Sequence, residues 1–186
     1  MPDRCFVAID IDNEVVKNAL FEAQRTIEAS GADVKSVERE NIHITLRFLG
    51  EMPEVQTARV ADAVRGIEFK PIKLSFEGIG VFPSSARPSV IWAGVTGDIP
   101  EVLAVFSALE EALEEMGFEP ERRGFQPHLT LCRVRSMRNT TKLAEVLESL
   151  ANARFGELEV RSIRLKKSIL TSRGPVYSNV AESRSI

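Results

Sequence analysis

The sequence predicts an α+β fold of two pseudo-symmetric lobes, each an antiparallel sheet backed by helices, with a cleft between them. Three observations carry this. Strand-like and helix-like stretches are mixed at short spacings with hairpin-like connections, the pattern of antiparallel sheets with helices on one side. The order strand, helix, strand, loop, strand occurs twice along the 186 residues. The phrases His43-Ile44-Thr45-Leu46 and His128-Leu129-Thr130-Leu131 fall at matching places in the two repeats, 85 residues apart, and hold the two histidines of the chain.

The elements follow in order. Residues 4–11 are apolar and β-branched and read as a buried strand. Asp12 or Asn13 caps a helix with Val15, Val16, Ala19, Leu20, Ala23 and Ile27 at helical spacing, closed by Gly31. A short strand at 34–37 leads to the first phrase, which ends at Leu49-Gly50, and Pro53 opens a helix over 54–67. Strands over 72–82 and 89–95 flank a Pro- and Ser-rich connector. The second repeat has a helix over 100–116 stopped by Gly117, a polar lead-in, the second phrase, a helix over 140–150, and strands over 158–170 and 176–180 around Ser172-Arg173-Gly174-Pro175. At an offset of 86, Phe69 maps to Phe155 and Val90-Ile91-Trp92 to Val176-Tyr177-Ser178.

Composition bounds the function. The values of 44% hydrophobic and 27% charged residues are those of ordinary globular chains. No apolar run nears the length of a membrane span, and the opening Met1-Pro2-Asp3-Arg4-Cys5-Phe6 lacks the pattern of a signal peptide, so a cytoplasmic protein without membrane contact is expected. Cys5 and Cys132, each in a predicted strand, read as buried thiols. Two His and two Cys without ligand spacing make a structural metal site improbable, and no cofactor is expected. A net charge of −3 disfavours coating of a nucleic-acid backbone but is compatible with recognition of one terminus. Arg122, Arg123, Arg133, Arg135, Arg138 and the basic run 161–167 offer cations for a phosphate, although such runs are commonly just solvated faces.

Within a strand, side chains alternate, so each phrase presents an imidazole and a hydroxyl on one face over an aliphatic pair on the other. A single His in a strand is usually structural. Two in the same setting, each with Thr two places on, favour function, because an imidazole beside a hydroxyl is a poor core pair unless both are hydrogen-bonded. Imidazole titrates near pH ~6.5, so one histidine can act as base and the other as acid at neutral pH. The threonine hydroxyls suit non-bridging phosphoryl oxygens. No nucleophile sits in a signature turn and no Gly-rich phosphate loop is present, so attack by water on a phosphodiester is the simplest chemistry.

The segments His43-Ile44-Thr45-Leu46-Arg47-Phe48-Leu49-Gly50 and Phe125-Gln126-Pro127-His128-Leu129-Thr130-Leu131-Cys132-Arg133 resemble the paired motifs of the two-histidine phosphoesterase superfamily. Within it, the chain resembles the RNA 2′,3′-cyclic phosphodiesterases, also called 2′-5′ RNA ligases, over essentially its whole length. The resemblance implies a bilobal, metal-independent enzyme. Its substrate is an RNA 3′ end bearing a 2′,3′-cyclic phosphate, opened to a 2′-phosphate, and 2′-5′ joining is the reverse of the same chemistry. It assigns His43 as proton donor to the departing 3′ oxygen and His128 as proton acceptor from water. Thr45 and Thr130 hold phosphoryl oxygens, and Arg133 adds positive charge. Near-symmetry leaves the acid and base labels exchangeable.

By simple alternation Arg133 falls on the face opposite His128 while Arg47 shares the face of His43, so binding by Arg133 requires the strand to end or bulge before it; otherwise that arginine is structural. Phe6, Phe48, Phe125 and Tyr177 are candidates for stacking on a terminal base, with core packing the commoner role for aromatics in strands. Two other functions stay open: a phosphodiesterase of small cyclic nucleotide derivatives or 2′-5′ oligoadenylates, and a non-catalytic module holding RNA termini. A monomer is expected, because the cleft lies within one chain.

Overall fold

The first strand, β1 (Asp3–Asp10), is apolar without alternation because it is covered on both faces: Cys5 to Ile9 are all buried. The computed structural model describes residues 3–122, 124–172 and 174–186; Met1, Pro2, Arg123 and Arg173 of the segments singled out above lie outside the described residues. After β1, the Asn13 side chain accepts hydrogen bonds from the backbone N–H of Val15 and Val16 and starts α1 (Glu14–Ala29). The inward stripe of α1 is Val16, Leu20, Ala23, Gln24 and Ile27. Next come β2 (Val34–Ser36), a 3-10 turn (Arg39–Asn41), β3 (His43–Met52) and α2 (Glu54–Arg65). A long hairpin of β4 (Ile72–Phe82) and β5 (Val90–Gly97) precedes α3 (Ile99–Glu115). The chain finishes with β6 (His128–Val134), α4 (Thr140–Ser149), β7 (Arg154–Val160), β8 (Ser162–Thr171) and β9 (Gly174–Arg184).

The strands run in the order β7-β4-β5-β6-β3-β1-β8-β9, with β2 also on β6, and every recorded pairing is antiparallel. The two phrases lie on the central strands β3 and β6, which pair through one register position, Ile44 with Leu129. On either side of that junction lies one lobe: β3-β1-β8-β9, and β6-β5-β4-β7. Helices α1 and α4 touch one another, and α1 packs on β7; α2 packs on β8 and β9.

The lobes are not the two sequential repeats. Strands β4 and β5, from the first repeat, complete the second lobe, while β8 and β9, from the second, complete the first. The run expected as one strand over 158–170 is split at Arg161, with β7 pairing β4 and β8 pairing β1. One exposed residue suffices for this crossing, because buried and accessible positions alternate on both sides of it. The expected equivalence of Val90-Ile91-Trp92 and Val176-Tyr177-Ser178 also changes. Strand β5 flanks β6 (Trp92 with Thr130, Gly94 with His128) as β1 flanks β3 (Ala8 with Thr45, Asp10 with His43), so around the histidines the counterpart of β5 is β1, and β9 lies at the sheet edge.

Both cysteines are buried, and burial pushes the Cys132 thiol up to about 11. No helix among the described residues is long and apolar enough to cross a membrane.

Candidate active site

Each histidine opens its strand, two residues after a carbonyl that faces its ring. His43 Nδ1 lies 2.7 Å from the Asn41 carbonyl oxygen and His128 Nδ1 2.9 Å from that of Gln126. A carbonyl only accepts, so Nδ1 carries the hydrogen in both rings, and Nε2 is left to exchange a proton with whatever occupies the cleft. His43, Thr45, His128 and Thr130 line one cavity of about 220 Å³, with Ile44 and Leu129 buried beneath. A wider depression of about 520 Å³ among Asp12, Arg161, Arg164 and Glu182 is lined by neither histidine, and its Arg164 is paired with Asp10, Asp12 and Glu182.

Two bulges decide what else reaches the cavity. Between β1 and β3 the register runs from Val7–Arg47 to Ala8–Thr45, leaving Leu46 as an extra residue. Between β5 and β6 it runs from Ile91–Cys132 to Trp92–Thr130, leaving Leu131 extra. An inserted residue shifts the alternation by one, so the side chains beyond it exchange faces. Arg133 therefore turns into the cavity, as its binding role required, and Phe48, 85 residues earlier, does the same. Arg47 is turned away, contrary to the alternation that placed it beside His43, and its guanidinium pairs with Glu110 at 2.8 Å and Glu121 at 3.2 Å.

Of the other candidates, Tyr177 lines the cavity edge-on to His43, ring centroids 5.6 Å apart, and Phe48 is exposed at its wall. Phe6 is buried behind the His43 ring at 4.9 Å, whereas Phe125 stacks on Phe106 of α3 and does not line the cavity. Among the described residues of the basic patch only Arg133 lines the cavity; Arg122 pairs with Glu119, and Arg164 and Lys166 bind Asp10 at 2.7 and 2.5 Å. Lys35 and Asn41 line the cavity without having been singled out from the sequence, and so does Pro175, read there only as part of a connector. Asn41 was findable, since it precedes His43 by two as Gln126 precedes His128. Its side chain also donates to the Pro175 carbonyl and so ties the β8–β9 hairpin to the site.

The environments of the two rings differ. Opposite His43 stands Asp10; burial raises its pKa, but the hydrogen bonds from Lys166 and Arg164 outweigh this and hold the carboxyl below the usual range. Opposite His128 stands Gly94, where a Cβ would come within 2.5 Å of the Glu77 carbonyl oxygen, so no side chain fits. His128 is bordered instead by Phe82 and Trp92, at centroid distances of 5.2 and 6.3 Å. Burial lowers the pKa of His43; the Asn41 carbonyl opposes this, Lys166 adds to it, Asp10 opposes it, and the charge of His128 adds to it. His43 is thus neutral at neutral pH while the cleft holds no anion. Among the described residues no group of three or more His, Cys, Asp or Glu side chains is placed to hold a metal ion.

The model of the LigT-like phosphoesterases matches residues 9–92 and 95–177. The chain belongs to the LigT-like phosphoesterase family. Its curated relatives include proteins named RNA 2′,3′-cyclic phosphodiesterase from Aeropyrum pernix, 41% identical over 84% of this chain and 89% of the relative, and from Archaeoglobus fulgidus, 39% identical over 95% and 97%. Among solved structures, this LigT-like chain superposes on a Thermus thermophilus protein with TM-score 0.79 and 27% identity, each chain covered to 96%. E. coli LigT complexed with 3′-AMP also matches at TM-score 0.79, over 98% of this chain and 97% of that one; at 21% identity it shows the shared two-lobed fold.

Proposed function

We propose that this LigT-like phosphoesterase opens 2′,3′-cyclic phosphates at RNA 3′ ends to 2′-phosphomonoesters, with two imidazoles as its proton-transfer groups and no metal or cofactor. The observation that carries the reading is that both histidines commit Nδ1–H to a backbone carbonyl and border the same cavity with Nε2 left over. The names of relatives covering nearly the whole chain supply the substrate class. Thr45 and Thr130 donate to the non-bridging oxygens, and Arg133 stabilises the negative charge on those oxygens in the transition state. One chain supplies all five residues, so a monomer is complete.

The broken symmetry supports one assignment of the roles. To yield a 2′-phosphate, water attacks phosphorus in line with the bond to O3′, so the nucleoside and the water lie on opposite sides of phosphorus. Phe48, Tyr177 and Pro175 give the His43 side an apolar wall for a base, whereas the equivalent of Phe48 on the His128 side is Arg133. The nucleoside therefore rests over His43, which gives its proton to O3′, and His128 takes the proton of the water as the new P–O bond forms and P–O3′ breaks. A 5′-hydroxyl in place of water gives 2′-5′ joining by the same transfers, so joining runs parallel to hydrolysis and is not its reverse.

This assignment has a pH signature. His43 must be protonated to act, its pKa is lowered by burial in the free enzyme, and a bound phosphate anion raises it. Activity falls as pH rises through that pKa, so the alkaline limb of kcat/KM is expected at lower pH than the alkaline limb of kcat. Coincident limbs across a pH 5–9 series would remove His43 as the acid.

The deciding assay is turnover of a short RNA ending in a 2′,3′-cyclic phosphate, in EDTA, with the position of the product phosphate determined. A 2′-phosphate formed at an undiminished rate in chelator is expected. A 3′-phosphate product, or loss of turnover restored by added divalent metal, overturns the mechanism. Inertness on RNA with turnover of small cyclic nucleotides overturns the substrate.

A further inference from the structure

The bulge at Leu131 brings Arg133 to the cleft, and the residue bracing that bulge lies elsewhere. Gln24, on the inward face of α1, is 1% exposed. Its Nε2 donates to the carbonyl oxygens of Leu131 and Val37, both at 2.8 Å, and the Val37 N–H donates to the same Leu131 oxygen, also at 2.8 Å. Two carbonyls facing one amide fix which end of it is nitrogen.

Every other inward residue of α1 is aliphatic, namely Val16, Leu20, Ala23 and Ile27. A Leu or Met at position 24 packs such a stripe without the desolvation that a buried amide brings. The glutamine Oε1 is buried with no hydrogen-bond partner among the described residues, so its two donor bonds offset the burial of the whole group. Those bonds join the carbonyl of the extra residue in β6 to the end of the β2 segment, and β2 pairs Lys35 with Arg133, both cavity residues. Without the brace, β6 is free to regain regular alternation, which points Arg133 to the opposite face.

We propose that Gln24 is a positioning residue for substrate: by holding the Leu131 and Val37 carbonyls it maintains the β6 bulge that keeps Arg133 in the cleft. The inference rests on Arg133 serving the phosphate, as proposed above. Gln24 itself touches no substrate.

A double-mutant cycle separates this role from general stabilisation. Cyclic-phosphate RNA hydrolysis is measured for wild type, Gln24→Met, Arg133→Ala and the double variant, well below each melting temperature. Arg133→Ala is expected to reduce kcat/KM by tens of fold. Gln24→Met should reduce it about tenfold beside Arg133, mostly through KM, and less than twofold in the Arg133→Ala background. Equal losses in both backgrounds make Gln24 merely structural and overturn the inference. A silent Arg133→Ala overturns the role of Arg133 first and the inference with it. Should Gln24→Met fail to fold, Gln24→Glu keeps the side-chain shape, stays protonated by burial and donates one hydrogen bond in place of two, and the same cycle with it reads the coupling.

Discussion

Replacing either histidine with alanine is expected to lower kcat on cyclic-phosphate RNA by about 10² to 10⁴-fold, the usual worth of a positioned general acid or base. Loss of His128 leaves water without a proton acceptor; loss of His43 leaves O3′ to depart as an alkoxide. Both steps belong to one displacement, so the double variant should lose little more than the worse single variant, a non-additivity that distinguishes a concerted pair from two independent contributors. Circular dichroism and melting temperature serve as controls, since each ring borders the cleft rather than filling the core beneath it. Full activity in either alanine variant would rule out the two-histidine mechanism.

The second large effect is expected beneath the site. Leu129 and Ile44 are fully buried and form the register position through which β3 and β6 pair. Truncation to Leu129→Ala removes core packing and leaves a cavity, at a cost of about 2–5 kcal/mol. For a chain of this size that is a fall in melting temperature on the order of 10 °C. The same junction sets how far apart the two Nε2 atoms stand, and a displacement of ~1 Å in such a pair costs about a hundredfold in rate. Leu129→Ala should therefore lower kcat in the folded enzyme, whereas Leu74→Ala, equally buried but on β4, should lose comparable stability with kcat near wild type. Equal kcat in the two variants would show that the junction does not set the geometry of the pair.

Much of this was legible in the chain. Helix α1 begins directly after Asn13, as that capping side chain and the apolar spacing behind it require, and the strand over 72–82 ends where the Pro- and Ser-rich connector begins. The catalytic candidates were legible for a different reason. His-x-Thr in a strand places both side chains on one face whatever the rest of the fold does, and its recurrence marked the pair.

Other features depended on contacts distant in sequence. Alternation correctly described His43 with Thr45 and His128 with Thr130, then failed at Arg47 and Arg133. A bulge arises when two strands of unequal spacing are laid side by side, and nothing within either strand records it. The exchange of β4 and β5 against β8 and β9 between lobes was hidden in the same way, because alternation at period two reports that a strand has a buried face and not which sheet covers it.

The sequence by itself determined the element types, the recurrence of the imidazole-hydroxyl pair and the family it resembles, all properties of neighbouring residues. Only the tertiary structure decided which strands share a lobe, that Phe48 and Arg133 reach the cleft while Arg47 leaves it, and that Asp10 stands opposite one histidine and Gly94 opposite the other. These are relations between strands, and register, which exists only once two strands have paired, is what sets them.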